Sequence, residues 1–286
     1  MSSVAAYFDM RNRRKRQRLV ANVLGLLVLA VMIFPVYWMI ATAFKPGRDI
    51  LRLDPKFVPS PATLANFDDA IHRPYFWDNV KNSVIIVCAV VLLSLAIGFL
   101  AAVAIARFSF YGRRAFIAVI IGVQMIPTAA MIIPLYILLA RADQVDRLTG
   151  VIVTYLTFVL PFTVWTLRGF VMGIPRDLEE AAMVDGCTRF GAFLRVLVPL
   201  IAPGLVATSI FAFVQAWNEF IFAYVLLSSQ ENQTLTVWLA SFTTLRGTDW
   251  GPLMAGATLT SLPVVVFFAL VQRRVAFGLT AGAVRA

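Results

Sequence analysis

Six apolar runs, each long enough to cross a bilayer as a helix, constrain this chain more than any other feature. A helix needs about 20 apolar residues to span the hydrocarbon core. The runs lie near residues 20–44, 83–106, 116–140, 151–172, 205–227 and 252–271. Backbone polar groups find no water inside a bilayer, so each run must satisfy its own hydrogen bonds by coiling. The pattern predicts an all-α, polytopic membrane protein with six transmembrane helices. It excludes a water-soluble domain, because 60% of the 286 residues are apolar and only 14% are charged. A soluble fold of this size could not cover that much apolar surface.

The punctuation of the runs carries further expectations. Pro127 and Pro134 fall in the third run and Pro161 in the fourth. A proline frees a backbone carbonyl and bends the helix, which is tolerated where protein or a cavity receives the freed group. The first run is too long for the core of a signal peptide and is read as a retained anchor. The basic residues are unevenly spread. Residues 1–19 form a basic tail with Arg11, Arg13, Arg14, Lys15, Arg16 and Arg18; Arg107, Arg113 and Arg114 follow the second run; Arg168, Arg176, Arg189 and Arg195 lie around the fourth connection; Arg273, Arg274 and Arg285 close the chain. With six spans these segments share one side, sixteen cations against five acids, while the other side holds nine of each. The positive-inside rule then puts both termini and residues 173–202 in the cytoplasm. The net charge of +10 is therefore a matter of membrane topology and no argument for nucleic acid. The longest outer loop, residues 45–82, is rich in proline and aromatic side chains, as suits an irregular excursion near the headgroups.

The connection at 173–202 reads as two short helices with a joint. Pro175 suits a first helical turn, and Asp177, Glu179 and Glu180 then favour the positive end of the helix dipole. Gly186 can take the left-handed stop, and Thr188 is a cap for a second helix. There Phe190, Phe193, Leu194 and Leu197 fall on one face. Pro199 is expected to bend the chain towards the fifth span. On this pattern alone, an amphipathic pair lying on the membrane surface and a docking element for a partner are equally good readings.

The spacing Glu180-Ala181-Ala182, three residues, Gly186, nine residues, Val196-x-Val198-Pro199 resembles the signature of inner-membrane permease subunits of binding-protein-dependent ABC importers. Asp185 before the glycine is also typical, and valine stands where isoleucine and leucine are usual. The similarity extends to the basic start, to Asn66-Phe67 in the outer loop, to Trp217-Asn218-Glu219 and to the ending 278–285. These look like the second permease subunit of the maltose-type carbohydrate branch. The resemblance implies a type I ABC importer permease fold over residues 20–286, in a bacterial inner membrane. It also implies a second, homologous permease subunit, two ATPase subunits that carry ATP and Mg, and an extracellular or periplasmic solute-binding protein. Glu180, Ala181, Ala182, Asp185, Gly186 and Pro199 would couple the chain to the ATPase. The cargo would be a di- or oligosaccharide, with a polyol or glycerol phosphate as the alternative. The outer loop containing Trp238, Thr243 and Thr244 would contact the binding protein, and a sugar could stack on the Trp238 indole.

Within the runs, Glu219 is a costly carboxylate. If the fifth helix continues through it, Gln215 and Glu219 share a face beside Asn218, lining a translocation path or making interhelical hydrogen bonds. An ion-coupled secondary transporter using Glu219 is the rival from another class, but no internal repeat of the kind such transporters show is visible. A membrane receptor or scaffold is a third. Cys88, Cys187 and the single His72 have no metal-ligand spacing. No phosphate-binding G-x-x-x-x-G-K-[ST] loop and no catalytic H-E-x-x-H or G-x-S-x-G motif occurs, so the chain itself is expected to hold no cofactor and to be no enzyme.

Overall fold

The computed structural model describes residues 2–283, with side chains described over 16–271. The chain runs α1 (Ser2–Ala43), α2 (Gly47–Ile50), α3 (Ala65–Ile71), α4 (Phe76–Arg107), α5 (Arg113–Val123), α6 (Ile132–Arg141) and α7 (Leu148–Gly173). Then come α8 (Asp177–Val184), α9 (Arg189–Ala192), α10 (Val198–Asn218), α11 (Ile221–Leu226) and α12 (Leu235–Ala240), a two-residue hairpin β1 (Thr243–Thr244) and β2 (Gly247–Thr248), and α13 (Trp250–Ala283). Among the described residues five helices are long and apolar enough to cross a bilayer: Arg16–Ala43, Phe76–Arg107, Leu148–Gly173, Arg189–Asn218 and Trp250–Val271. The sixth expected span is a pair, Arg113–Val123 and Thr128–Arg141, bent by 102° at the break. Pro127 stands at that break and a short 3₁₀ turn, Thr128–Met131, follows it, the outcome expected where a proline interrupts the ladder.

Contact density divides the chain into two units. The first holds the residues up to His72 with Phe242–Leu259. Its α1 presents an exposed apolar surface from Leu19 to Tyr37. At the far end of that helix the Asn66 amide donates to the carbonyls of Ala43 and Lys45 at 2.8 and 2.7 Å. The first is an orphan acceptor of the helix terminus and the second belongs to the turn that follows, and one buried amide supplies both donors. The Lys45 ammonium is almost fully buried and lies 3.7 Å from the centre of the Trp38 ring. Burial pushes it below its ordinary pKa, against the pull of Asp49.

The second unit comprises Arg73–Ser241 and the chain from Thr260 onward. Its centre is the packing of α4, α7 and α10. The backbones approach closely at glycines: a Cβ on Gly98 would lie 2.5 Å from Thr163 Cγ2, and one on Gly204 would lie 2.7 Å from Phe170 Cγ. Helices in lipid gain no hydrophobic drive from one another, so close contact between small residues is what holds them. Phe99, Ala102, Ala106, Leu167, Val171, Leu197 and Ile201 form one buried cluster near one end of this bundle.

Two expected spans have different limits. The second starts at Phe76, about two turns before residue 83, because Asn79, Asn82 and Ser83 are polar yet buried. Asn82 donates to the carbonyls of Glu231 and Gln233, and Ser83 Oγ accepts from the Leu235 amide. Protein contacts there replace the water that a sequence reading assumes. The fifth span ends at Asn218, short of residue 227, and starts at Arg189. α9 passes directly through a π turn, Phe193–Leu197, into α10. Pro199 therefore does not separate the second short helix from the span. The wider π register accommodates the proline that a regular ladder resists.

Candidate functional site

Pro175 sits two residues ahead of α8 and outside its first turn. Asp177, Glu179 and Glu180 occupy the first turn as expected. α8 ends in a glycine motif. Gly186 has φ +89°, its amide donates to Met183 O at 3.1 Å, and the Cys187 amide donates to Ala182 O at 3.0 Å. These two bonds satisfy terminal carbonyls in the Schellman pattern, which needs a left-handed residue at the joint. Thr188 then caps α9, its Oγ1 accepting from the Gly191 amide at 3.0 Å.

One side of α8 is anchored. Arg176 donates to the Ala106 and Arg107 carbonyls, at 3.1 and 3.2 Å, at the end of α4. Arg107 donates to Ile174 O at 2.9 Å, at the end of α7. The ends of the two spans thus cap one another with guanidinium groups, which suits orphan carbonyls at the negative end of a helix dipole. Arg107 also lies 2.7 Å from Glu179, with side-chain exposures of 10% and 19%. That contact is an ion pair without hydrogen-bond alignment. The other side of α8 is open. Ala181 and Asp185 are exposed, Leu178 is half exposed, and Val184 is 87% exposed; Glu180 is exposed too, along the groove that Arg107, Arg176 and Glu179 also line. Ala182 is half-buried. Sequence reasoning selected Glu180, Ala181, Ala182, Asp185 and Gly186 but missed Glu179, Arg107 and Arg176. The available signal was an arginine in the last turn of one apolar run and another just after the end of a second.

At Glu219 the fifth span breaks, which corrects the expectation of a continuous helix with Gln215 and Glu219 stacked one turn apart. Glu219 is extended, with ψ 130°. Its two carboxylate oxygens accept the Phe222 and Ala223 amides at 2.9 and 3.2 Å, and its carbonyl accepts from Thr236 Oγ1 at 2.8 Å. The carboxylate therefore caps α11, where the helix dipole favours an anion. Gln215, Asn218 and Glu219 nevertheless share a cavity of about 240 Å³ with Thr128, Tyr155 and Phe158. The buried Tyr155 hydroxyl has no hydrogen-bond partner of good geometry and lies within electrostatic reach of Glu219. Tyr155 did not stand out in the sequence, because it sits singly in an apolar run.

At the opposite end of α7, Asp146 ties two loops together. Its carboxylate accepts the Ser228 and Ser229 amides at 2.9 and 3.0 Å and the Ser229 hydroxyl at 2.5 Å. Its carbonyl accepts from Asn232. Desolvation would raise its pKa, but these donors outweigh it and hold the carboxyl below its ordinary value. In the following loop, Trp238 is 2% exposed and packs on Phe76 with ring centres 5.0 Å apart. Its indole face is not open to a sugar, which corrects that expectation. Thr243 and Thr244 lie in the small hairpin, whose tip carries the fully exposed Leu245. The basic residues 11–15 and those at 273, 274 and 285, like the 278–285 ending, lie outside the residues whose side chains are described.

A bundle of membrane-crossing helices with a glycine-jointed helix fixed against the span ends, and a polar cavity beside a broken span, defines a membrane transport subunit. The sequence matches the family described as "Binding-protein-dependent transport system inner membrane component" over residues 94–280, and the chain belongs to that family. It is 44% identical to the diacetylchitobiose uptake system permease protein DasC of Streptomyces coelicolor, over 92% of this chain and 96% of that one. It is 35% identical to the trehalose transport system permease protein SugB of Mycobacterium tuberculosis, over 92% and 96%. Its fold is similar to that of a chain in the crystal structure of a bacterial ABC transporter involved in the import of the acidic polysaccharide alginate. The TM-score is 0.77 at 20% identity, over 92% of this chain and 97% of that one. The chain is thus an ABC importer permease with the expected helical fold.

Proposed function

We propose that this chain forms half of the path by which an ATP-driven importer carries a di- or oligosaccharide across a bacterial inner membrane. A second, related permease would form the other half, two ATPase subunits would bind ATP and Mg, and an extracellular binding protein would deliver the sugar. Both termini and α8 would face the cytoplasm, consistent with the clustering of arginines. The sugar class is supported by relatives named for diacetylchitobiose, trehalose and arabinooligosaccharides.

The observation that carries the coupling role is the two-sided character of α8. One side is pinned to the span ends by Arg107 and Arg176, while the other leaves Leu178, Val184 and Asp185 uncovered at a rigid glycine stop, with Glu180 exposed along the groove. Apolar residues left open beside charges mark a contact surface, and a rigid helix seated in a partner's groove transmits rigid-body motion. Gln215, Asn218 and Glu219, with Thr128 and Tyr155, are assigned to the translocation path, because polar side chains at a broken span belong against a cavity or a partner and not against lipid. Thr243 and Thr244, on the hairpin, are assigned to contact with the binding protein.

The test is uptake of a sugar panel by the complex reconstituted in liposomes with its ATPase and binding protein. ATP-dependent uptake of a di- or oligosaccharide is expected, lost on Glu180→Lys with the complex still assembled. Uptake driven by an ion gradient without the ATPase would refute the proposal. The ion-coupled reading has little to favour it, since both oxygens of Glu219 are engaged by backbone amides.

A further inference from the structure

We propose that Arg107, Glu179 and Arg176 form a charged clamp that passes the motion of α8 to α4, so that the coupling helix drives a span to which it has no covalent tie. This rests on the docking role proposed above for α8. The backbone joins α8 only to α7, through residues 174–176, and to α10, through α9 and the π turn. Motion of α8 reaches those two spans through the chain itself. α4 ends far away in sequence, at Arg107, and can follow only through side chains.

The contacts that would do this are polar. On the apolar side a groove of about 600 Å³, lined by Leu100, Val103, Met183 and Phe190, lies between α4 and the short helices. The tie forms part of the wall of that groove, which Arg107, Arg176 and Glu179 also line. Arg107 Nη2 reaches both Glu179 and the Ile174 carbonyl, and Arg176 reaches back to the last two carbonyls of α4. The Arg107–Glu179 pair is mostly shielded from solvent. A shielded pair is less weakened by screening and by side-chain freedom than an exposed one. Behind it, Phe99, Ala102, Leu167 and Leu197 pack the ends of α4 and α7 and the π turn into one block.

Glu179 and Glu180 also divide the work. Neighbours on a helix point about 100° apart. Glu179 meets Arg107, while Glu180, one residue on, is exposed along the same groove. One acid holds the spans and the other meets the partner. Arginine is the suitable residue at 107, because its planar fork can serve a carbonyl and a carboxylate together, which a lysine does less well.

The experiment uses the complete complex in liposomes, measuring sugar taken up per ATP hydrolysed, together with complex yield and melting temperature. Arg107→Gln and Glu179→Gln are each expected to lower uptake per ATP about tenfold, within the span of measured coupling effects. The double variant should lose no more than either single, because both break the same link, and Arg107→Lys should regain part of the loss. An unchanged ratio in the single variants would overturn the clamp. So would losses that multiply in the double variant, or uptake, hydrolysis and yield that fall together, which marks a merely structural pair. Glu180→Lys in the same assay separates the two ideas. If it uncouples transport while the clamp variants do not, the clamp fails and docking stands. If it too leaves the ratio unchanged, the docking role fails.

Discussion

Asp146 offers a quantitative test of how the outer loops are held. It sits at φ +59°, a left-handed setting that most side chains resist. Its carboxylate receives three hydrogen bonds from Ser228 and Ser229. Bonds to a charged group contribute about 1.5–3 kcal/mol each when intact. They are not additive, and Asp146 is only half-buried, so removal of all three should cost about 3 kcal/mol. Asp146→Ala adds a left-handed alanine, about 1 kcal/mol more. Asp146→Gly relieves that strain while losing the same bonds. Asp146→Asn keeps one acceptor oxygen and tolerates the backbone. Melting temperatures in detergent should therefore fall in the order wild type, Asn, Gly, Ala. The pH dependence has a definite sign. The folded carboxyl titrates below its ordinary value, so its contribution is complete above the unfolded pKa of about 4 and disappears as pH falls through the folded one. The gap between wild type and Asp146→Asn should be widest near neutrality and should close in acid. A gap that stays constant from pH 7 to pH 3, or an alanine variant as stable as wild type, would refute the reasoning.

Three further outcomes are expected. Gly98→Ala should destabilise the bundle by about 1–3 kcal/mol through its clash with Thr163 Cγ2; Thr163→Ser in the same chain should restore the melting temperature by removing that methyl. Glu219→Ala should cost about 1 kcal/mol, the value of a helix cap; Glu219→Gln should cost less, and retained uptake in the latter would show that the negative charge is dispensable for transport. Gly186→Ala should strain the joint at φ +89° by about 1 kcal/mol and reduce uptake per ATP; an unchanged ratio would mean that the joint need not be rigid.

The sequence displayed most clearly what local chemistry decides alone. Gly186 could be read as the end of α8 because few other residues accept its backbone, and Thr188 as a cap because its hydroxyl serves an amide three residues on. The break near Pro127 was legible as a bend for the same reason. What long-range contacts decide was not legible. The apolar run continues past Glu219, and only the donation of Thr236 and the start of α11 reveal that the helix stops there. Trp238 looked like an exposed aromatic because nothing nearby in sequence announces Phe76 beneath it. Arg107 and Glu179 meet across two intervening spans, and single residues give no sign of that partnership. The start of the second span was misplaced because Asn79 and Asn82 were assumed to face water, whereas Asn82, like Ser83, serves the loop before α12.

The π turn at Phe193–Leu197 has a consequence for phase. It holds one residue more than an α-helical turn would, so it sets the azimuth at which α8 and α9 hang from the fifth span. Forcing all five residues into the α register, with none deleted, would swing the short helices by about 100° about the span axis. Glu180 and Val184 would then face a different quadrant without any change in their own sequence. Chimeras that join the docking segment of one such permease to the spans of another should therefore be cut outside residues 193–197, where the splice cannot alter the angle between the two.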